Sequence, residues 1–227
     1  SQSTAVSQFS SRTLGGGVRF GVPIADDESV SYGLSIERTE LGLFDNPPTR
    51  LVDYVDTFGA TNNNLVATIG WGKDTRDSAI YTTEGTVQRI SSEISLPVFD
   101  MRYYKLNYQH QRFFPLSTDY TLLLKGEAGI AGGYGGKPLP FFKNFYAGGP
   151  GSVRGYESSS LGPRDTDDSV LGGPRRVIGN AELLMPFPGM ERERSTRFSA
   201  FIDGGAVYGP GDLPGSAGLR FSTGLAF

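Results

Sequence analysis

Period-two alternation, sustained in runs of about ten residues, constrains this chain more than any other feature. Apolar residues at every second position give a segment one apolar and one polar face, which is the signature of a β-strand between two different environments. Gly16, Val18, Phe20 and Val22 alternate with Gly17, Arg19 and Gly21. Val30, Tyr32, Leu34 and Ile36 alternate with Ser31, Gly33, Ser35 and Glu37. The polar Ala25-Asp26-Asp27-Glu28 between them predicts a hairpin turn. Further runs of this kind cover Leu65–Trp71, Ile90–Leu96, Tyr104–His110, Leu122–Ala128, Val177–Pro186, Phe198–Asp203 and Leu219–Phe227. Helical periodicity is weak throughout, and the reading is all-β with about nine antiparallel strands.

Composition agrees. Glycine supplies 32 of 227 residues and aromatics 12%, where glycine usually contributes ~7%. Both suit turn-rich β structure better than a helical bundle. The net charge is −3 and no basic run is present, so nothing points to nucleic acid. The absence of cysteine excludes disulfides, thiolate metal sites and a cysteine nucleophile. No apolar run approaches the ~20 residues of a spanning helix. Ser1 to Ser11 lacks the basic start and apolar segment of a signal peptide, which suggests a cytosolic protein or a processed fragment. The mean hydropathy of −0.25 looks soluble, but alternation in a transmembrane barrel hides its apolar face from such an average.

A soluble β-sandwich would alternate too. Two features favour an outer-membrane barrel. The runs match the ~9–11 residues of a tilted spanning strand. Connections also alternate in length, with short turns near Asp26, Pro115 and Pro188 and long ones at Leu41–Asn64, which contains Pro47-Pro48, and Pro138–Arg176. Tyr81, Tyr103, Tyr104, Phe113, Phe114, Phe141, Phe142 and Tyr208 fall near strand ends and are expected to form interfacial girdles, core aromatics being the alternative.

Enzyme chemistry finds little support. The one histidine, His110, sits mid-strand with no nucleophile elbow nearby. Gly132-Gly133-Tyr134-Gly135-Gly136-Lys137 has Ala131 at the first glycine of a phosphate loop and Pro138 at its Ser/Thr, so it reads as a hairpin end. Asp26-Asp27 and Asp167-Asp168 read as solvated turns, and no metal site or cofactor is expected. The informative stretch runs from Pro140 to Tyr156, within the long connection of about 137–176. It is aromatic, rich in glycine and carries the isolated cation Arg154 behind Gly148, Gly149 and Val153. Such a loop can fold back and bury itself, with Arg154 free to fork onto a carboxylate.

Asn144-Phe-Tyr-Ala-Gly-Gly149 followed by Val153-Arg154-Gly155-Tyr156 resembles the loop motif of the BamA/Sam/Toc-type translocator superfamily, with Tyr156 where many members have Phe. Lys73-Asp-Thr-Arg-Asp77 with Thr83-Glu-Gly85 resembles its Pro-Thr-x-Gly periplasmic turn, Thr82 occupying the proline position. Glu182 resembles an acidic residue before a proline turn, and Phe201-Ile-Asp203-Gly-Gly205 an aromatic-x-Asp-x-Gly strand motif. The order agrees from about Ser11 to Phe227. The resemblance implies a lumen-entering loop whose Arg154 docks on the inner wall at Asp203, with Glu182 and Phe201 beside it. It implies residues 1–227 as part of a sixteen-stranded barrel in the bacterial outer membrane, without the periplasmic POTRA repeats. It also implies assembly of other barrels rather than enzymatic catalysis. The expected partners are unfolded outer-membrane clients, Bam lipoproteins, periplasmic chaperones and the lipid bilayer. Alternatives are a TamA-like or two-partner-secretion translocator, a passive porin, and the soluble sandwich.

Overall fold

A computed structural model of the chain describes residues 2–6, 9–43, 49–165, 168–187, 197–212, 215 and 218–226. Ten strands form one open antiparallel sheet, each bonded to its sequence neighbours. They are β1 (Gln2–Val6), β2 (Phe9–Ala25), β3 (Glu28–Leu43), β4 (Thr61–Asp74), β5 (Gly85–Leu96), β6 (Tyr103–Pro115), β7 (Thr121–Gly133), β8 (Arg175–Pro186), β9 (Arg197–Tyr208) and β10 (Arg220–Ala226). The strands β2 to β10 carry the alternating runs of the sequence, and β1 adds a short member at the edge.

Register explains why the strands alternate. Val18, Leu34, Ala67, Ile94 and Tyr104 lie in one cross-strand row. The adjacent row holds Arg19, Gly33, Thr68, Glu93, Lys105 and Ala131. The first row is the exposed one, with Val18 at 62%, Leu34 and Ile94 at 44% and Tyr104 at 40%. Large apolar side chains thus stand outward while charged ones turn inward. A water-soluble sandwich has the opposite arrangement, since exposed apolar patches of this extent mark a membrane or partner surface. Among the described residues no helix is long and apolar enough to cross a membrane.

The two ends of the sheet differ. At one end β2 and β3 turn through Asp26-Asp27, and β6 and β7 close between Pro115 and Thr121. At the other end the connection from Gly133 to Arg175 is by far the longest. Its C-terminal boundary lies slightly earlier than the sequence suggested, because Arg175 and Arg176 already pair with Tyr208 and Val207 of β9. The connection between β3 and β4 holds a helix, α1 (Thr49–Phe58), where helical periodicity was not expected. Pro47-Pro48, Pro188, Asp167 and Phe227 lie outside the described residues.

The aromatic girdle expectation fails for most of its members. Tyr103 is fully buried on the inward face, because its parity is that of Lys105 and opposite to Tyr104. Phe113 shares that inward parity, whereas Tyr104 and Phe114 face outward. Phe141 and Phe142 stack edge-on against Tyr54 of α1. Tyr208 is buried beneath the β9–β10 connection and donates its hydroxyl to the Gly215 carbonyl at 2.7 Å.

Candidate functional site: a loop held on the inner wall

The long connection folds back over the inward face of β6 to β10. Local chemistry sets its path. Gly148 adopts φ +108°, and a Cβ there would collide with the Glu157 carbonyl; only glycine tolerates that conformation without strain. The Gly149 N–H bonds the Val153 carbonyl at 3.1 Å, which closes a tight turn. This turn delivers Val153 downward. Val153 is fully buried with Ala147, Leu161, Ile178 and Val207 in the apolar core between loop and wall. Gly205 of β9 makes room for it, since a Cβ on Gly205 would lie 2.8 Å from the Val153 methyl.

With Val153 seated, Arg154 points at β8 and β9. Its Nε donates to Asp203 Oδ2 at 2.7 Å and its Nη2 to Asp203 Oδ1 at 2.8 Å, a forked pairing. Its backbone N–H also donates to Asp203 Oδ2, at 3.0 Å. Its Nη1 donates to Glu182 Oε2 at 3.2 Å. The guanidinium lies 3.6 Å from the centroid of the Phe201 ring, a geometry in which the positive group meets the negative ring face. Asp203 has no solvent exposure, and Asp203, Glu182 and Phe201 meet because Asn180 pairs Asp203 and Glu182 pairs Phe201 across β8 and β9. The second Glu182 oxygen accepts the Ser199 hydroxyl at 2.5 Å. Tyr156 donates its hydroxyl to the Phe221 carbonyl at 3.2 Å, and Gly155 lies beside Ser222 of β10. The structure therefore brings all the sequence-selected residues into one site.

Two further anchors were not selected from the sequence. Arg176 of β8 bonds Glu127 of β7, and its Nη1 donates to the Tyr146 carbonyl at 2.9 Å. Phe145 is buried between Arg176 and Lys105, whose Nζ lies 4.2 Å from the ring centroid. Lys143 pairs with Glu93 at 2.7 Å and Glu37 at 3.5 Å, which ties the loop to β3 and β5. Every one of these inward carboxylates thus faces a cation. The site offers charge pairing and burial, but among the described residues no cluster could hold a metal ion.

A family model described as the Omp85 superfamily domain matches residues 1–227. The outer membrane protein assembly factor BamA of Neisseria meningitidis serogroup B is 39% identical over 219 residues, covering 91% of this chain and 28% of that protein. BamA of Nitratidesulfovibrio vulgaris is 29% identical over 182 residues, covering 79% of this chain and 23% of that protein. The chain therefore spans less than a third of these curated relatives. The crystal structure of BamA from Haemophilus ducreyi lacking POTRA domains 1–3 superposes with a TM-score of 0.87 at 23% identity, over 96% of this chain and 48% of that one. That likeness establishes the fold as part of a larger barrel.

Proposed function

The chain belongs to the Omp85 superfamily, and from that membership we propose that it is the barrel portion of an outer-membrane assembly factor of BamA type. Such a protein sits in the bacterial outer membrane and folds and inserts other β-barrels there. The sheet's apolar outward face contacts lipid, and the end with short turns faces the periplasm. Unfolded outer-membrane clients are its substrates. Bam lipoproteins and periplasmic chaperones are its accessory partners.

The observation that carries this reading is the docking of Arg154 on Asp203 and Glu182. A passive pore needs an open lumen; here a loop of the Gly133–Arg175 connection is pinned to the wall by three charged anchors. Pinning the loop holds β3 to β10 in one arrangement. In our reading that leaves the remaining part of the barrel to deform when a client strand adds. Reconstitution of the full-length protein in liposomes tests the proposal. Unfolded barrel clients should become heat-modifiable faster than in empty liposomes. Solute flux without any acceleration of client folding would assign the protein to passive transport instead.

A further inference from the structure

Arg197 opens β9 at the end of the sheet opposite the long loop, and its contacts reach across that end. Its guanidinium carbon lies 3.4 Å from the Tyr81 ring centroid, and its Nη1 donates to the Thr82 carbonyl at 2.6 Å. Tyr81 and Thr82 belong to the connection between β4 and β5. Three strands, β6, β7 and β8, separate β5 from β9. At ~4.8 Å per strand, the contact joins points ~19 Å apart along the sheet. A hairpin needs no such reach, as the Asp26-Asp27 turn demonstrates.

The connection is built to keep its shape. The Asp77 carboxylate accepts the Thr83 hydroxyl at 2.5 Å and the backbone N–H groups of Thr83 and Glu84 at 3.0 and 3.3 Å. Thr82 donates its hydroxyl to the Ser78 carbonyl at 2.7 Å and is 4% exposed. The connection therefore meets Arg197 as an ordered lobe, with the guanidinium both stacked and hydrogen-bonded.

From Arg197 the same face of β9 continues through Ser199 and Phe201 to Asp203, since side chains repeat every second residue. Ser199 holds one oxygen of Glu182, whose other oxygen holds Arg154. Arg154 also stacks on Phe201 and forks onto Asp203. One strand face thus connects the lobe at one end of the lumen with the loop anchor above it.

We propose that Arg197 is a positioning residue that clamps the β4–β5 connection to β9 and so holds Asp203 in place for Arg154. The lobe and the loop then loosen together. The inference rests on the loop anchor proposed above, and reciprocity of coupled equilibria requires the effect to run in both directions.

Hydrogen exchange on the full-length protein in micelles tests it. Tyr81→Ala and Arg197→Gln should each speed exchange at residues 150–161 by roughly threefold or more, besides freeing residues 75–84. Tyr81→Phe, which keeps the ring, should leave both regions protected. Arg154→Ala should loosen residues 75–84 as well as the loop. If Arg197→Gln does not fold, Tyr81→Ala carries the same comparison. Should Arg154→Ala free the loop while Tyr81→Ala and Arg197→Gln free only the lobe, the coupling is overturned and the anchor stands. Should Arg154→Ala leave the loop protected, the anchor itself fails, and the coupling with it.

Discussion

Replacing Arg154 by alanine removes three side-chain hydrogen bonds and a ring contact at once. It leaves Asp203 without exposure and without its cation. Breaking a fully buried ion pair typically costs ~3–5 kcal/mol because the other charge is stranded, whereas an exposed pair contributes ~0–1 kcal/mol. Arg154 retains 21% side-chain exposure while Asp203 retains none, so the cost to loop docking falls between these limits, at ~2–4 kcal/mol. At ~1.4 kcal/mol per decade, the open population of the loop rises ~30- to 700-fold. Lysine keeps the charge but not the fork or the planar stack, so Arg154→Lys should open the loop by only ~10-fold. Protease cleavage within residues 150–161 at native temperature reads this population. Wild-type protection in both variants would rule out the Arg154 anchor, whereas equal loss in both would assign the effect to the fork and the stack rather than to charge, which lysine retains.

Other consequences follow from neighbouring contacts. Gly205→Ala places a Cβ 2.8 Å from the Val153 methyl and 3.2 Å from the Val177 carbonyl; overpacking should destabilise by ~1–3 kcal/mol, lower the Tm in detergent, and be partly relieved by Val153→Ala. Burial acts to raise the Asp77 pKa, but the hydrogen bonds from Thr83 and Glu84 outweigh it and hold the carboxyl below its ordinary value. A depressed folded pKa means that the contribution to stability is present above the unfolded value and lost as pH falls through the folded one. Pepsin should therefore cut residues 75–84 only in acid below the ordinary aspartate range, and Asp77→Asn should remove that dependence. Tyr54 of α1 packs against Phe58, Phe141 and Phe142, and burial, then the charge of Asp100, push its hydroxyl up to about 12; Tyr54→Ala should expose residues 141–143 to added protease on intact cells while residues 150–161 stay protected.

Much of the fold was legible because lipid and lumen impose opposite demands on successive residues. Phe198, Ala200 and Ile202 against Ser199, Phe201 and Asp203 identify β9 and its inward face from the sequence alone. β1 escaped because Gln2-Ser-Thr-Ala-Val6 has its apolar residues side by side. α1 escaped because its Leu51, Tyr54, Val55 and Phe58 spacing lies in a stretch read as one long loop. Adjacent aromatics show the limit of reading strand ends by composition: Tyr103 and Tyr104 are neighbours, yet one is buried inward and the other faces out. The Arg154 anchor was accessible through its motif. Lys143 and Arg176 were not, because a cation in a loop or at a strand start has no signature until the path of the loop brings it to Glu93 or Glu127.

In the proposed function, a loop pinned to the inner wall serves the assembly of other barrels. The most direct measurement is the folding rate of an unfolded barrel client in liposomes holding the full-length protein, compared between wild type and Arg154→Ala at equal amounts of folded protein. Rapid client folding is expected with wild type, and a rate at least ~tenfold lower with Arg154→Ala. Equal rates for the two proteins, with the loop shown by proteolysis to be free in the variant, would contradict that function.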